Sequence, residues 1–110
     1  VILPGLILRN PSVVTQGARS LYETRKVMAA HRERHPACAL TGRTDGVHVH
    51  HIYPCAIAPE RAADPTNLIT LHARLHFWFA HAGNWKHYVL NVRELLEAAL
   101  VQRTMSLPAR

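Results

Sequence analysis

The chain has 110 residues and carries 13 Lys plus Arg against 7 Asp plus Glu, a formal charge of +6. That length supports one modest hydrophobic core, and no run approaches the roughly 18 consecutive apolar residues of a membrane span. Two cysteines, Cys38 and Cys55, exclude a disulfide scaffold while leaving one bridge open. The basic surplus favours polyanionic partners, without separating DNA from RNA or acidic lipid.

Residues 1–14 read as an extended or irregular arm with a short strand at Leu6–Leu8. The opening VILPGLILRN is broken by Pro4 and Gly5 and lacks a basic leader, so it is not read as a signal peptide and a cytoplasmic location is expected. Residues 15–34, rich in Ala, Arg and Glu and free of Pro, read as a helix stopped by Pro36. Its basic side chains are read first as a solvated face. Gly42 and Gly46 mark turns, and VHVHHIY is a β-branched and aromatic run suited to a strand. Residues 54–66, with Pro54, Pro59 and Pro65, form a long connection of the kind that usually serves function. Leu68–Leu71 is a second short strand. A helix is expected from His72 to about Ala82, ending near Gly83 and Asn84. In the last element, over 91–103, Asn91 and Glu94 resemble a capping box. Val92, Leu95, Leu96, Ala99 and Leu100 then follow at helical spacing as a packing stripe.

Histidine is the compositional anomaly. Six of nine (His48, His50, His51, His72, His76 and His81) fall between positions 48 and 81. Neutral imidazole binds transition metals and titrates near neutrality, so the cluster points to metal or acid–base chemistry. Phe77, Trp78, Phe79 and Trp85 lie close by; such a group is read as core in preference to a base-stacking surface. His48 and His87 are given no role.

The order of these residues carries a resemblance. The segments C-A-L-T-G, V-H-V-H-H-I-Y-P and D-P-T-N-L-I-T-L-H-A-R-L-H-F-W-F-A-H-A-G-N-W-K-H-Y, spanning 38–88, resemble HNH endonucleases. The likeness is greatest to a small phage and bacterial branch with His-His-Ile, Asn-Leu-Ile-Thr-Leu and Gly-Asn-Trp motifs. The resemblance implies an α+β fold: a ββα-metal (His-Me finger) core over 38–88, an N-terminal helix and a C-terminal packing helix, all in one domain. It implies a phosphodiester hydrolase acting on DNA, with one divalent ion (Zn, Ni, Mn or Mg) per site and a possible homodimer. His50 would bind the metal and His51 would act as general base. Asn67 would hold the base-bearing strand across the loop, and His76, with His81, would supply the helix ligands. The physical logic agrees. Hydrolysis needs a water, a base and a Lewis acid, and neighbouring strand residues face opposite sides, so His50 and His51 can take different tasks.

Two points of register remain open in the sequence. His76 and His81 are five apart, about 500° and so roughly 140° off one face of an ideal α-helix. His72 and His76 share a face better. The motif favours His81, brought round by a loosened helix end before Gly83; spacing favours His72. Many relatives also carry two Cys-x2-Cys pairs for a structural zinc. The corresponding positions here are Cys38, Thr41, His72 and Leu75, which do not make a closed site, so no structural zinc is expected. Arg43, Arg61, Arg74 and Lys86 lie nearest the motif and are the expected phosphate contacts. The competing readings are a DNA-binding module that keeps the fold without cutting, and a zinc-stabilised interaction domain.

Overall fold

The computed structural model describes residues 5–9 and 18–106. Its centre is an antiparallel pair, β2 (Val47–His51) against β3 (Leu68–His72), with Val47 opposite His72, His50 opposite Ile69 and His51 opposite Leu68. Leu68, Ile69, Thr70 and Leu71 are all buried, as expected of a short strand covered on both faces. The ladder continues past the strand ends, where the Ile52 N–H donates to the Asn67 carbonyl at 2.9 Å. The connection between the strands contains two 3₁₀ turns, Pro59–Arg61 and Pro65–Asn67. Each opens on a proline, whose fixed φ and missing N–H suit a first helical position.

After β3 the chain enters one helical turn, α2 (Ala73–Leu75), and runs on into a π-helical turn, His76–Ala80. The His72 side chain caps α2, its Nδ1 accepting the Arg74 N–H at 3.3 Å. A further strand, β4 (His87–Val89), pairs antiparallel with β1 (Ile7–Arg9). The sequence reading did not anticipate β4, because three residues with a histidine among them carry no period of their own. The strand exists only through its partner.

Two longer helices flank the hairpin. In α1 (Ala18–Arg34) the Arg32 guanidinium donates to the Val47 carbonyl at 2.6 Å, so one of the side chains read as a solvated face fastens the helix to β2. The Thr70 hydroxyl donates to the His35 carbonyl at 2.7 Å, fixing the end of α1 to β3. In α3 (Val92–Ser106) the expected stripe packs at its N-terminal half: Val92 and Leu96 join Cys38, Val47, Ile52, Ile69, Leu71 and Ala80 in the core, while Leu100 is exposed. Asn91 accepts the Leu6 N–H on Oδ1 at 2.8 Å, tying β1 to the start of α3. Arg93 donates to the Thr66 and Leu68 carbonyls and so locks α3 onto the beginning of β3. Residues 15–17 of the expected first helix, and most of the expected arm, lie outside the described residues. The architecture is a small α+β fold with three helices and two antiparallel pairs among the described residues. None of its helices is long and apolar enough to cross a membrane.

Candidate metal centre

The β2–β3 register and the turn after α2 bring His50, His76 and His81 together. Their rings stand 4.8–5.0 Å apart, centroid to centroid, and one ligand nitrogen from each lies within 4.8 Å of the others. Each is prepared differently. The His50 side chain points inward and is 3% exposed, and its Nε2 is buried without a hydrogen-bond partner. An orphaned buried nitrogen of this kind is costly unless something occupies the lone pair. His81 donates from Nδ1 to the His87 carbonyl at 2.6 Å. A carbonyl only accepts, so the proton sits on Nδ1 and the Nε2 lone pair is free. That lone pair lies 3.2 Å from Nε2 of His76. Two imidazole nitrogens at about 2.0–2.1 Å from one tetrahedral ion stand roughly 3.3–3.4 Å apart, so the pair is already spaced for a shared cation. The donor set fits, and the triad could hold a metal ion.

The π-turn places His81, and not His72, beside His76. Hydrogen bonds in a π-helix run from i to i+5, so residues five apart stack where an α-helix would place them on different faces. His76 and His81 are therefore matched by the turn that contains them, and the expected loosening of the helix end is replaced by a defined geometry. Beyond it, Ala82 and Gly83 both adopt left-handed backbone, φ 53° and 77°, and the Gly83 N–H closes onto the Phe77 carbonyl at 3.0 Å. For Ala82 that conformation costs about 1–2 kcal/mol, spent where the chain must reverse to present His81. His72 stands apart from the triad. It caps α2, and its ring lies beside Gly46, close enough that a Cβ there would sit 3.4 Å from Nε2.

Two residues given no role in the sequence reading hold rings of the triad. His48 meets Nδ1 of His76 through its own Nδ1 at 2.9 Å, leaving Nε2 of His76 to face the triad. His87 contributes the backbone carbonyl that orients His81. Partners of this kind fix tautomer and ring orientation in metal sites. The alternation of His48 and His50 on one strand was the available signal for the first. Nothing in the sequence marks a backbone carbonyl.

His51 lies on the other side of the strand from His50, half-buried, its Nε2 donating to the Ala62 carbonyl at 2.8 Å. The proton is thereby held on Nε2 and Nδ1 keeps its lone pair. Asn67 is fully buried and bridges the loop: Oδ1 accepts the Tyr53 N–H at 2.8 Å, and Nδ2 donates to the Tyr53 and Arg61 carbonyls at 3.1 and 3.2 Å. These bonds set the path of the segment that bears Ala62, and so the position of the His51 ring.

The expected phosphate contacts divide. Arg43 is engaged by Asp45 through two hydrogen bonds of 3.1 and 2.7 Å. Arg61 lies over the Tyr53 ring at 4.3 Å, with Asp64 at 3.7 Å. Arg74 and Lys86 are exposed, the first on α2 and the second beside Trp85. Of the aromatic group read as core, only Phe79 packs against it. Trp78, on the π-turn, and Trp85, beyond the reversal that follows it, are 68% and 53% exposed. Cys38 and Cys55 are free thiols. Burial alone would raise the Cys38 thiol. Hydrogen bonds from the Thr41 side chain and from the backbone of Thr41, His72 and Leu40 outweigh it and bring the pKa below the usual value. Cys38, Thr41 and His72 thus do converge, with Leu75 packed against the core.

Residues 38–82 match the profile of the HNH endonuclease family. Over these 45 residues the chain is similar to HNH endonucleases. The matched HNH segment begins at Cys38, contains β2, the clamped loop, β3 and the π-turn, and ends one residue beyond His81. No curated protein and no solved structure matches the chain.

Burial pushes the His50 imidazole down to about 2, with the charges of His76, His81 and His51 adding to it. His76 is pushed to about 4 by burial and then by His81 and His48, and His81 is lowered by burial against the raising effect of its bond to His87. All three are therefore neutral at physiological pH, the form that binds metal. In the unfolded chain the same groups titrate near 6.5. Below that value the unfolded state takes up protons that the folded state refuses. The stability contributed by the buried neutral rings is complete above pH 6.5 and is lost as pH falls toward the folded values. In the presence of a chelator, the unfolding free energy of the chain, and with it the urea midpoint, is expected to fall steadily from about pH 6.5 to 4, at up to about 1.4 kcal/mol per pH unit for His50 alone. Denaturation curves at a series of pH values test this; a flat midpoint across that window would show that the triad is not buried as described.

Proposed function

We propose that the chain is a metal-dependent DNA endonuclease that hydrolyses phosphodiester bonds with His51 as general base. The observation that carries this reading is the placement of an oriented imidazole, with its Nδ1 lone pair unengaged by the Ala62 contact, on the residue next to a converging histidine triad. His50, His76 and His81 would hold one divalent ion, whose chemistry is that of a Lewis acid toward the scissile phosphate and the departing oxygen. An all-imidazole set suits Zn²⁺, Ni²⁺ or Mn²⁺ better than Mg²⁺.

The chain's own part in the reaction is positional. His51 receives the proton of the attacking water on Nδ1, while the Ala62 carbonyl holds Nε2–H and stabilises the imidazolium that forms. Asn67 keeps Ala62 within reach by fixing Tyr53 and Arg61 to the same loop. His48 and the His87 carbonyl hold two ligand rings in their binding tautomers. Exposed Arg74 and Lys86 neutralise backbone phosphates, with Arg61 and Arg43 contributing once their local partners are displaced.

Plasmid nicking across a panel of divalent metals tests the proposal. Relaxation of supercoiled DNA that depends on added metal and is stopped by chelator is expected. Tight DNA binding with no cutting under any metal would leave a binding module with the HNH fold. Binding itself should be electrostatic, since +6 on a chain of this size acts through phosphate contacts. The binding constant is expected to fall with salt on a log–log plot by about 0.9 for each phosphate neutralised, and by two or more phosphates in total. A flat plot would point away from nucleic acid.

A further inference from the structure

The chain has two tryptophans, Trp78 and Trp85; both are exposed, and Trp85 lies beside the histidine triad. Tryptophan is highly buried on average, and large exposed apolar surface on a small protein marks a contact site. These rings are also held. The Phe77 ring lies 4.9 Å from each of them, between Trp78 on the π-turn and Trp85 beyond the reversal. Trp78 lies over Gly83 so closely that a Cβ there would sit 2.9 Å from the ring, and Gly83 also has a positive φ of 77°. Trp85 stands 5.0 Å from His76 and 4.8 Å from His81. The exposed aromatic surface therefore begins at two of the ligand residues and extends outward across the turn.

We infer that Trp78 and Trp85 form a stacking platform for unpaired bases next to the scissile phosphate, so that the preferred substrate is single-stranded DNA. This rests on the nuclease reading above. A base inside a duplex already has both faces covered by its neighbours, and only an unpaired or splayed base offers a free face to an indole. The rings are continuous with the site where the phosphate would be cut, so a strand that places its phosphate there carries the adjoining bases onto them. Exposed Lys86 follows Trp85 in the chain, and exposed Arg74 stands on the helical turn before His76, placing cations beside the aromatic surface for the backbone of the same strand.

Titration of the full chain with oligothymidine, and with a blunt duplex of the same length, tests the inference in chelator so that nothing is cut. Tryptophan fluorescence reports on these two residues alone. Saturable quenching by oligothymidine, with tighter binding than to the duplex, is expected. Trp78→Ala is expected to weaken binding of oligothymidine about tenfold, within the range measured for loss of one stacked base, and Trp78→Phe to restore most of it. Because Trp78 touches Phe77 and Gly83 and not the ligands, metal titration of Trp78→Ala should match the parent and shows that the fold is kept. Equal binding of both DNAs without quenching overturns the inference and leaves the nuclease reading standing. Absence of binding to either DNA removes both. A concentration-dependent dimer by sedimentation, with fluorescence that changes on dilution in place of DNA-dependent quenching, also overturns it and gives the surface to a second copy of the chain.

Discussion

His51→Ala is expected to lower metal-dependent plasmid nicking by about 10²–10⁴-fold, the usual contribution of a positioned general base, while metal affinity stays at the parent value. The two effects separate because His50 and His51, although adjacent, point to opposite sides of β2. His50 is buried with an unpartnered Nε2 in the triad, and His51 bonds to the Ala62 carbonyl on the loop side. Calorimetric titration with metal, run beside the nicking assay, decides the assignment. Loss of metal binding in His51→Ala with binding retained in His50→Ala would mean that the two roles are exchanged. A third variant, Asn67→Ala, bears on the same point. It would leave the Tyr53 N–H and the Tyr53 and Arg61 carbonyls without their partner, at about 1–3 kcal/mol for a buried group left unsatisfied, and would disturb His51 without touching the triad.

The second large effect concerns the proposed metal ligands. His50→Ala and His76→Ala are each expected to cost more metal affinity than the roughly 10–100-fold that follows loss of an outer-shell partner. His81→Ala is expected to cost at least about tenfold on the same scale, and His72→Ala almost nothing. The ranking follows the geometry. His76 and His81 present nitrogens 3.2 Å apart, whereas the His72 ring is occupied in capping α2 and lies against Gly46. Metal affinities of the four single variants provide the measurement. If His72→Ala proved costlier than His81→Ala, the π-turn would have to give way to a regular α-helix in the metal-bound protein, with His72 and His76 as the pair.

Much of this arrangement was legible in the sequence, and the parts that were not share a cause. The strand at VHVHH, the short strand before His72 and the stripe on α3 follow from local period and composition, and each appears close to its expected bounds. The triad His50, His76 and His81 was legible through motif order, with its spacing unexplained. What escaped depends on contacts between distant segments. β4 is a strand only because β1 pairs with it. His48 has a role only because His76 comes to lie beside it. The aromatic residues were read as core because a cluster of large rings is usually buried. The π-turn and the reversal after it leave Phe79 against the core and both tryptophans in solvent.

That turn has a consequence for how the site is encoded. A π-turn is an α-helical turn carrying one extra residue, so removing one residue between His76 and His81 would return the segment to regular winding and leave the two imidazoles a helical turn apart, on one face. A spacing of four in an α-helix and a spacing of five across a π-turn are therefore two spellings of the same pair of neighbouring imidazoles. A comparison that insists on gap-free columns would put Ala80 in the second histidine's place and score the site as broken. One that tolerates a single insertion inside the helix would find the second histidine intact.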